Sequence, residues 1–225
     1  MEKLPHKIQL AILARLREQS PARYGYLKPT RVEGNVFVYH LRALIKEGIV
    51  KKVPEGYALT AEGKQYVDTL REDGLGIRIQ PKIVTLIALK GTKGAYLLYR
   101  RQQEPYRGLI GFPYGKVHLG EKIAESAERE CHDKLGVVVP LVHAGEVYVG
   151  VGSGESLIHT LFHVFTVKIE GQPILDKEEL FWEVPDTVPP AASIPGFHEI
   201  APLIEAWHKK GVPQERFFAE FWLKE

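Results

Sequence analysis

Residues 113–137 read PYGKVHLGEKIAESAERECHDKLGV, and this stretch decides how the chain around it is read. It opens on a glycine turn, Tyr114-Gly115-Lys116, passes through Gly120-Glu121, and becomes a charged helix ending near Leu135-Gly136. Ile123, Ala124, Ala127, Cys131 and Leu135 recur at three- and four-residue spacing, which marks one buried helix face. Glu121, Glu125, Glu128, Glu130 and Asp133 crowd the remainder. Carboxylates this close repel one another unless positive charge sits among them. A hard divalent cation meets that need, because Mg²⁺ takes carboxylate oxygens and keeps positions open for phosphates.

Counted from Gly115, Glu121 follows after five residues and Arg129-Glu130 after seven more, then Cys131, Asp133 and Gly136-Val137. This resembles the Nudix box, G-x5-E-x7-R-E-U-x-E-E-x-G-U, where U is a bulky apolar residue; seven of nine specified positions match. Asp133 departs by one methylene, and Lys134 reverses the charge where the family places a metal-binding carboxylate. Ahead of the box, Pro113-Tyr114-Gly115 replaces the family's usual P-G-G.

The resemblance implies an α/β/α sandwich with a mixed sheet. It also implies Mg²⁺-assisted attack of water on a nucleoside diphosphate linked to another moiety. Carried over by position, Glu130 is metal ligand and general base, Asp133 a second ligand, and Arg129 the residue that orients Glu130. Glu121 braces the loop against the helix, and Gly115 joins the metal site by letting the backbone approach. Tyr114 reads either as a base-stacking ring or as packing over the loop, and Lys116 and Lys134 are further ligand-binding candidates. The family often adds a carboxylate from a later loop. Glu178, Glu179 and Glu155 all qualify, and the sequence does not choose among them. Lys134 lies four residues after Glu130, so on a helix its ammonium falls where the cation belongs. The expectation is a domain that keeps a nucleotide-derived small molecule, holds Mg²⁺ weakly, and has weak or lost hydrolysis.

The 225 residues suffice for one large or two modest domains, with 44% apolar and 26% charged residues. No basic-then-apolar leader is read at the N-terminus, and no apolar run is long enough for a membrane span. The single cysteine, Cys131, excludes an internal disulfide and fits a reducing cytoplasm. The net charge of +2 conceals a basic first third: residues 1–75 hold 13 Lys and Arg against 9 Asp and Glu. That excess suits a polyanionic partner.

In that third, Ile8, Ile12, Leu13 and Leu16 predict a helix over 5–19, followed by a short helical segment over 24–29. Thr30 with Glu33 reads as a capping box for a helix to Glu47, with Val36, Val38, Leu41, Leu44 and Ile45 inward and Gly48 closing it. A hairpin about Pro54-Glu55-Gly56 follows, then a helix capped by Thr60. The order, with the run NVFVYHLRALIKEGIVKKVPEGYALTAEG, resembles a winged helix-turn-helix. That resemblance implies double-stranded DNA as partner. Lys28, Thr30, Arg31, Asn35 and His40 are the candidates for base edges or phosphates, with Lys51 and Lys52 on the wing.

Beyond Arg71–Gly76, taken as the boundary, strands are predicted at 83–89, 95–100, 137–139, 144–151, 157–169 and 180–184. Helices are predicted at 198–209 and 213–223. His159 and His163 share a strand face with Leu161 and Phe165, and with no third ligand in view they read as ordinary sheet histidines. The glycine-rich 150–154 precedes no helix and makes a poor phosphate cradle. Phe217, Phe218, Phe221 and Trp222 read as core or as a homodimer contact. The expected class is α+β: residues 1–74 a winged helix-turn-helix and 75–225 a Nudix-type sandwich. The leading expectation is a transcription regulator sensing a nucleotide-derived metabolite, and the alternative is an active Mg²⁺-dependent pyrophosphohydrolase.

Overall fold

The computed structural model describes residues 6–71, 76–78, 80–152, 158–173, 177–210 and 215–224. The chain divides into two compact units, Met1–Ile79 and Gln80–Glu225. Glu155, most of the proposed boundary and part of the 150–154 glycine run lie outside the described residues.

The first unit runs α1 (Lys7–Glu18), α2 (Tyr24–Leu27), α3 (Gly34–Lys46), β1 (Val50–Val53), β2 (Gly56–Leu59) and α4 (Ala61–Asp68). Leu10, Ile12, Leu13 and Leu16 of α1 bury against Phe37, Leu41 and Leu44 of α3 and Val67 of α4. β1 and β2 pair antiparallel from Val50↔Leu59 to Val53↔Gly56. Thr60 caps α4, its Oγ1 accepting from the Gly63 N–H at 3.0 Å. This order is compatible with a winged helix-turn-helix. Two expectations fail in α3. It begins at Gly34 with Glu33 as N-cap, not at Thr30, because Pro29–Val32 is spent on a turn closed by Val32 N–H to Pro29 O at 3.2 Å. Val36 is exposed, and the larger Phe37 takes the inward position.

The second unit is one mixed sheet between two helices. Its strands are β3 (Lys82–Lys90), β4 (Tyr96–Arg100), β5 (Ile110–Gly111), β6 (Tyr114–Lys116), β7 (Val142–Val151), β8 (Ile158–Lys168), β9 (Leu180–Glu183) and β10 (Phe217–Leu223). The order is β10-β7-β8-β3-β4-β5, with β6 also on β3 and β9 also on β4. β3–β8 and β10–β7 are parallel, and the other pairs antiparallel. Residues alternate between faces along β3. Val84, Leu86 and Ala88 join Ile200, Ala201 and Ile204 of α6 (Phe197–Lys210). Ile87 and Leu89 join Ala127 of α5 (Ile123–Glu130) together with Cys131 and Leu135.

Several expectations are corrected here. The predicted helix over 213–223 is strand β10, parallel to β7. Phe217, Ala219, Phe221 and Leu223 turn to the core while Phe218, Glu220 and Trp222 are exposed, a period of two that helical spacing cannot give. The stretch 137–139 pairs with no described strand, and Val138 is 87% exposed. Ala124 is exposed, and Ser126 takes the buried place beside Ala127. Among the described residues, no helix is long and apolar enough to cross a membrane.

Candidate active site

The Cys131–Leu135 segment continues α5 as a single π turn, which ends at Gly136 in the left-handed region, φ 69°. Ala127, Cys131 and Leu135 press this element onto Ile87, Leu89 and Phe165 of the sheet. The flank of α5 beside this apolar face turns Arg129 and Glu130 toward β6, and Glu121 lies on the loop just before the helix. Burial pushes the Cys131 thiol up to about 11, which leaves it an inert small hydrophobe.

Arg129 organises the carboxylates. Its Nε and Nη2 donate to Glu121 at 2.6 and 2.9 Å, its Nη1 donates to Glu130 Oε1 at 2.5 Å, and its Nη2 reaches the Lys116 carbonyl at 3.1 Å. Glu121 also accepts the His118 N–H at 2.9 Å. The Arg129 bonds first, and that amide second, hold the Glu121 carboxyl down to about 2. One guanidinium thus ties the loop to the helix through Glu121 and fixes one oxygen of Glu130.

The other Glu130 oxygen is the unusual atom. The carboxylate is 8% exposed, and Oε2 is buried with no hydrogen-bond donor among the described residues. Lys134 Nζ stands 2.8 Å from it as an ion pair outside hydrogen-bond alignment, and donates to the Tyr114 carbonyl. The carboxylate lies against Gly115: a Cβ there would fall 1.7 Å from Glu130 Cδ, so only glycine admits it.

These oxygens suit a hard cation, a buried carboxylate oxygen lacking a donor beside a backbone carbonyl. The Lys134 ammonium stands in that position. The Lys134 side chain is 45% exposed, so it can swing to solvent and yield the place to Mg²⁺. Asp133, the second expected metal ligand, is exposed and engages the His132 ring at 2.9 Å. Glu178 is exposed, and neither Glu178 nor Glu179 makes a side-chain bond to the box among the described residues. Lys177 does reach it, donating to the carbonyls of Asp133 and Lys134 at 2.9 and 2.7 Å.

Tyr114 and Lys116 alternate with Gly115 along β6, so they leave the box side and line an open groove of ≈ 610 Å³, solvent included. Lys82, Arg101 and Tyr106 line it too. Arg101 donates to the hydroxyls of Tyr99 and Tyr114 at 3.2 and 2.9 Å. Sequence reading missed Arg101 and Lys177, since neither belongs to the box and only folding brings one to the groove and the other to the box.

The DNA-contact candidates belong to the first unit. Thr30, Arg31 and Asn35 are exposed around the start of α3, and Lys28 is half-buried after α2. Lys51 and Lys52 are exposed and, as strand neighbours, point to opposite sides of the hairpin. His40 is stacked on His6 with ring centroids 4.2 Å apart.

The model of the NUDIX domain matches residues 80–207, more than half of the chain. The chain belongs to the NUDIX family. Among solved structures, the NUDIX domain is similar to a MutT NUDIX hydrolase from Burkholderia pseudomallei, with 23% identity, 56% of this chain and 99% of that chain covered, and TM-score 0.46. A NUDIX hydrolase from Nitrosomonas europaea gives 18% identity, 77% and 93% coverage, and TM-score 0.49. The NUDIX domain of Shewanella oneidensis NrtR, solved in complex with ADP ribose, gives 17%, 66%, 98% and 0.47. No curated protein matches significantly.

Proposed function

We propose that the NUDIX domain hydrolyses a nucleoside diphosphate linked to a second moiety, with Glu130 at the centre of the site. The observation that carries this is the Glu130 carboxylate itself: buried, clamped through Oε1 by Arg129, and turned through Oε2 to the Lys134 ammonium, which also donates to the Tyr114 carbonyl. Glu130 and the exposed Asp133 would hold Mg²⁺. When bound, that ion neutralises phosphate oxygens and lowers the pKa of the attacking water. Glu130 is the proton acceptor, Arg129 orients its carboxylate through Oε1, and Glu121 keeps Arg129 in place.

The groove beside β6 supplies the rest. Lys82, Arg101 and Lys116 offer positive charge for a diphosphate, and Tyr106 and Tyr114 offer rings for a base. β6 pairs with β3 alone among the described strands, so its outer edge lies open between groove and box. The regulator reading drawn from the first unit gains no support from the family match, and the hydrolase reading takes precedence over it.

The test is a panel of nucleoside diphosphate-linked compounds incubated with Mg²⁺ and followed for turnover. The expected result is cleavage of at least one member, abolished by Glu130→Gln. Thermal stabilisation by a compound that is never cleaved, in wild type and in Lys134→Glu alike, would replace the hydrolase with a binding module.

A further inference from the structure

A bulge in β7 builds a group of side chains that the box does not use. In a regular strand, His143 and Glu146 are three apart and point to opposite faces. The β7–β8 register shifts between His143↔Phe165 and Gly145↔Val164, so one extra residue, Ala144, enters β7. The shift returns Glu146 to the face of His143, directly opposite His163. His143 stacks on Phe165 at 4.6 Å, which fixes its ring. Sequence reading set His163 beside His159 with no third ligand in view, and the bulge supplies His143 and Glu146 instead.

We propose that His143, Glu146 and His163 form a binding site for a borderline divalent transition metal such as Zn²⁺, separate from the box. One ligand atom from each residue lies within 4.8 Å of the other two. Glu146 Oε1 is 3.3 Å from His143 Nε2 and 3.7 Å from His163 Nδ1. Around a tetrahedral ion with bonds near 2.1 Å, neighbouring ligands stand about 3.4 Å apart, so small rotations complete the geometry. Both nitrogens are buried with the Glu146 carboxylate as their near polar neighbour, in contacts that are not aligned hydrogen bonds and that a shared cation would satisfy.

Two imidazoles and a carboxylate favour zinc-like ions over Mg²⁺, which demands oxygen. Burial first, with Glu146 opposing it, lowers the pKa of His163; burial and then the Arg216 charge lower that of His143. Arg216 is exposed, so its guanidinium can turn to solvent. Three protein ligands leave a fourth position for water or an incoming group. Thr85 pairs with Gly115 on one side and His163 on the other, so the cluster lies two strand spacings, roughly 10 Å, from the box glycine.

The experiment titrates metal-free full-length protein with Zn²⁺ against a chromophoric chelator, and with Co²⁺ followed by visible absorption. One equivalent should bind, with affinity at least tenfold weaker in Glu146→Gln and His163→Asn and within twofold of wild type in Glu130→Gln. Unchanged affinity in Glu146→Gln, or a loss confined to Glu130→Gln, overturns the proposal. Should His163→Asn fail to fold, zinc-edge anomalous scattering from wild-type crystals decides the matter. A peak between the three side chains supports the site, and a peak only elsewhere refutes it.

Discussion

Glu130 and Lys134 are four residues apart, and their ammonium–carboxylate contact of 2.8 Å occupies the place of the proposed Mg²⁺. A unit charge ~5 Å from a divalent ion, at an effective dielectric of ~20, repels it by about 6 kcal/mol before relaxation. The half-exposed lysine can relax, and a residual ~3 kcal/mol would weaken metal binding roughly a hundredfold. Lys134→Glu should therefore tighten Mg²⁺ binding by ~10² and lower the Mg²⁺ concentration needed for half-maximal turnover, measured by metal titration of the hydrolysis rate. Turnover that falls in Lys134→Glu would instead assign the lysine to the substrate phosphates.

At the scale of elements, one helix changes character along the length of the box. α5 is regular as far as Glu130, then a π turn carries the chain to Gly136, whose left-handed conformation closes it. Lys134, in this turn, reaches both Glu130 and the Tyr114 carbonyl. β10 is the other telling element, because its assignment as a strand makes a pattern testable. Phe221→Ala should cost about 1–3 kcal/mol in chemical denaturation, since its ring packs against the core beside β7. Phe218→Ser, at a position 69% exposed, should change stability by under ~0.5 kcal/mol. Equal losses at both positions would contradict a strand.

At the scale of the NUDIX domain, α6 closes the sheet face opposite the box and buries a titratable group there. His208 is 9% exposed, with Nε2 2.9 Å from the Thr166 hydroxyl. Burial, and next the Lys90 charge, push its pKa down to about 4. Glu205 on the same helix pulls the other way and pairs with Lys90, and Lys168 adds a second positive charge. The folded state therefore binds the proton less readily than the unfolded chain, whose imidazole titrates near 6.5. Its contribution to stability is complete above pH ~6.5 and is lost as the pH falls toward ~4. Urea midpoints should drop across that window, and His208→Gln should flatten the drop. A variant that keeps the wild-type slope would assign the effect to other groups.

The box spacing was enough to name the family, because glycine, arginine and carboxylate at those intervals answer a local need. Gly115 must lack a Cβ, and Arg129 must stand beside Glu130. The near-continuous apolar runs likewise announced β3, β4, β7 and β8, since a strand buried between two helices must be apolar on both faces. The short β5 and β6 carry no such run, and β10 was misread because four bulky aromatics within six residues satisfy either period. Tertiary structure alone decided two things. It put Lys177 against the end of the box helix and Arg101 against the Tyr114 hydroxyl in the groove, both from distant segments. It also inserted the β7 bulge that turns Glu146 toward His163. Each depends on partners far away in sequence, and a one-residue change in strand register reverses a side chain's face while leaving local composition untouched.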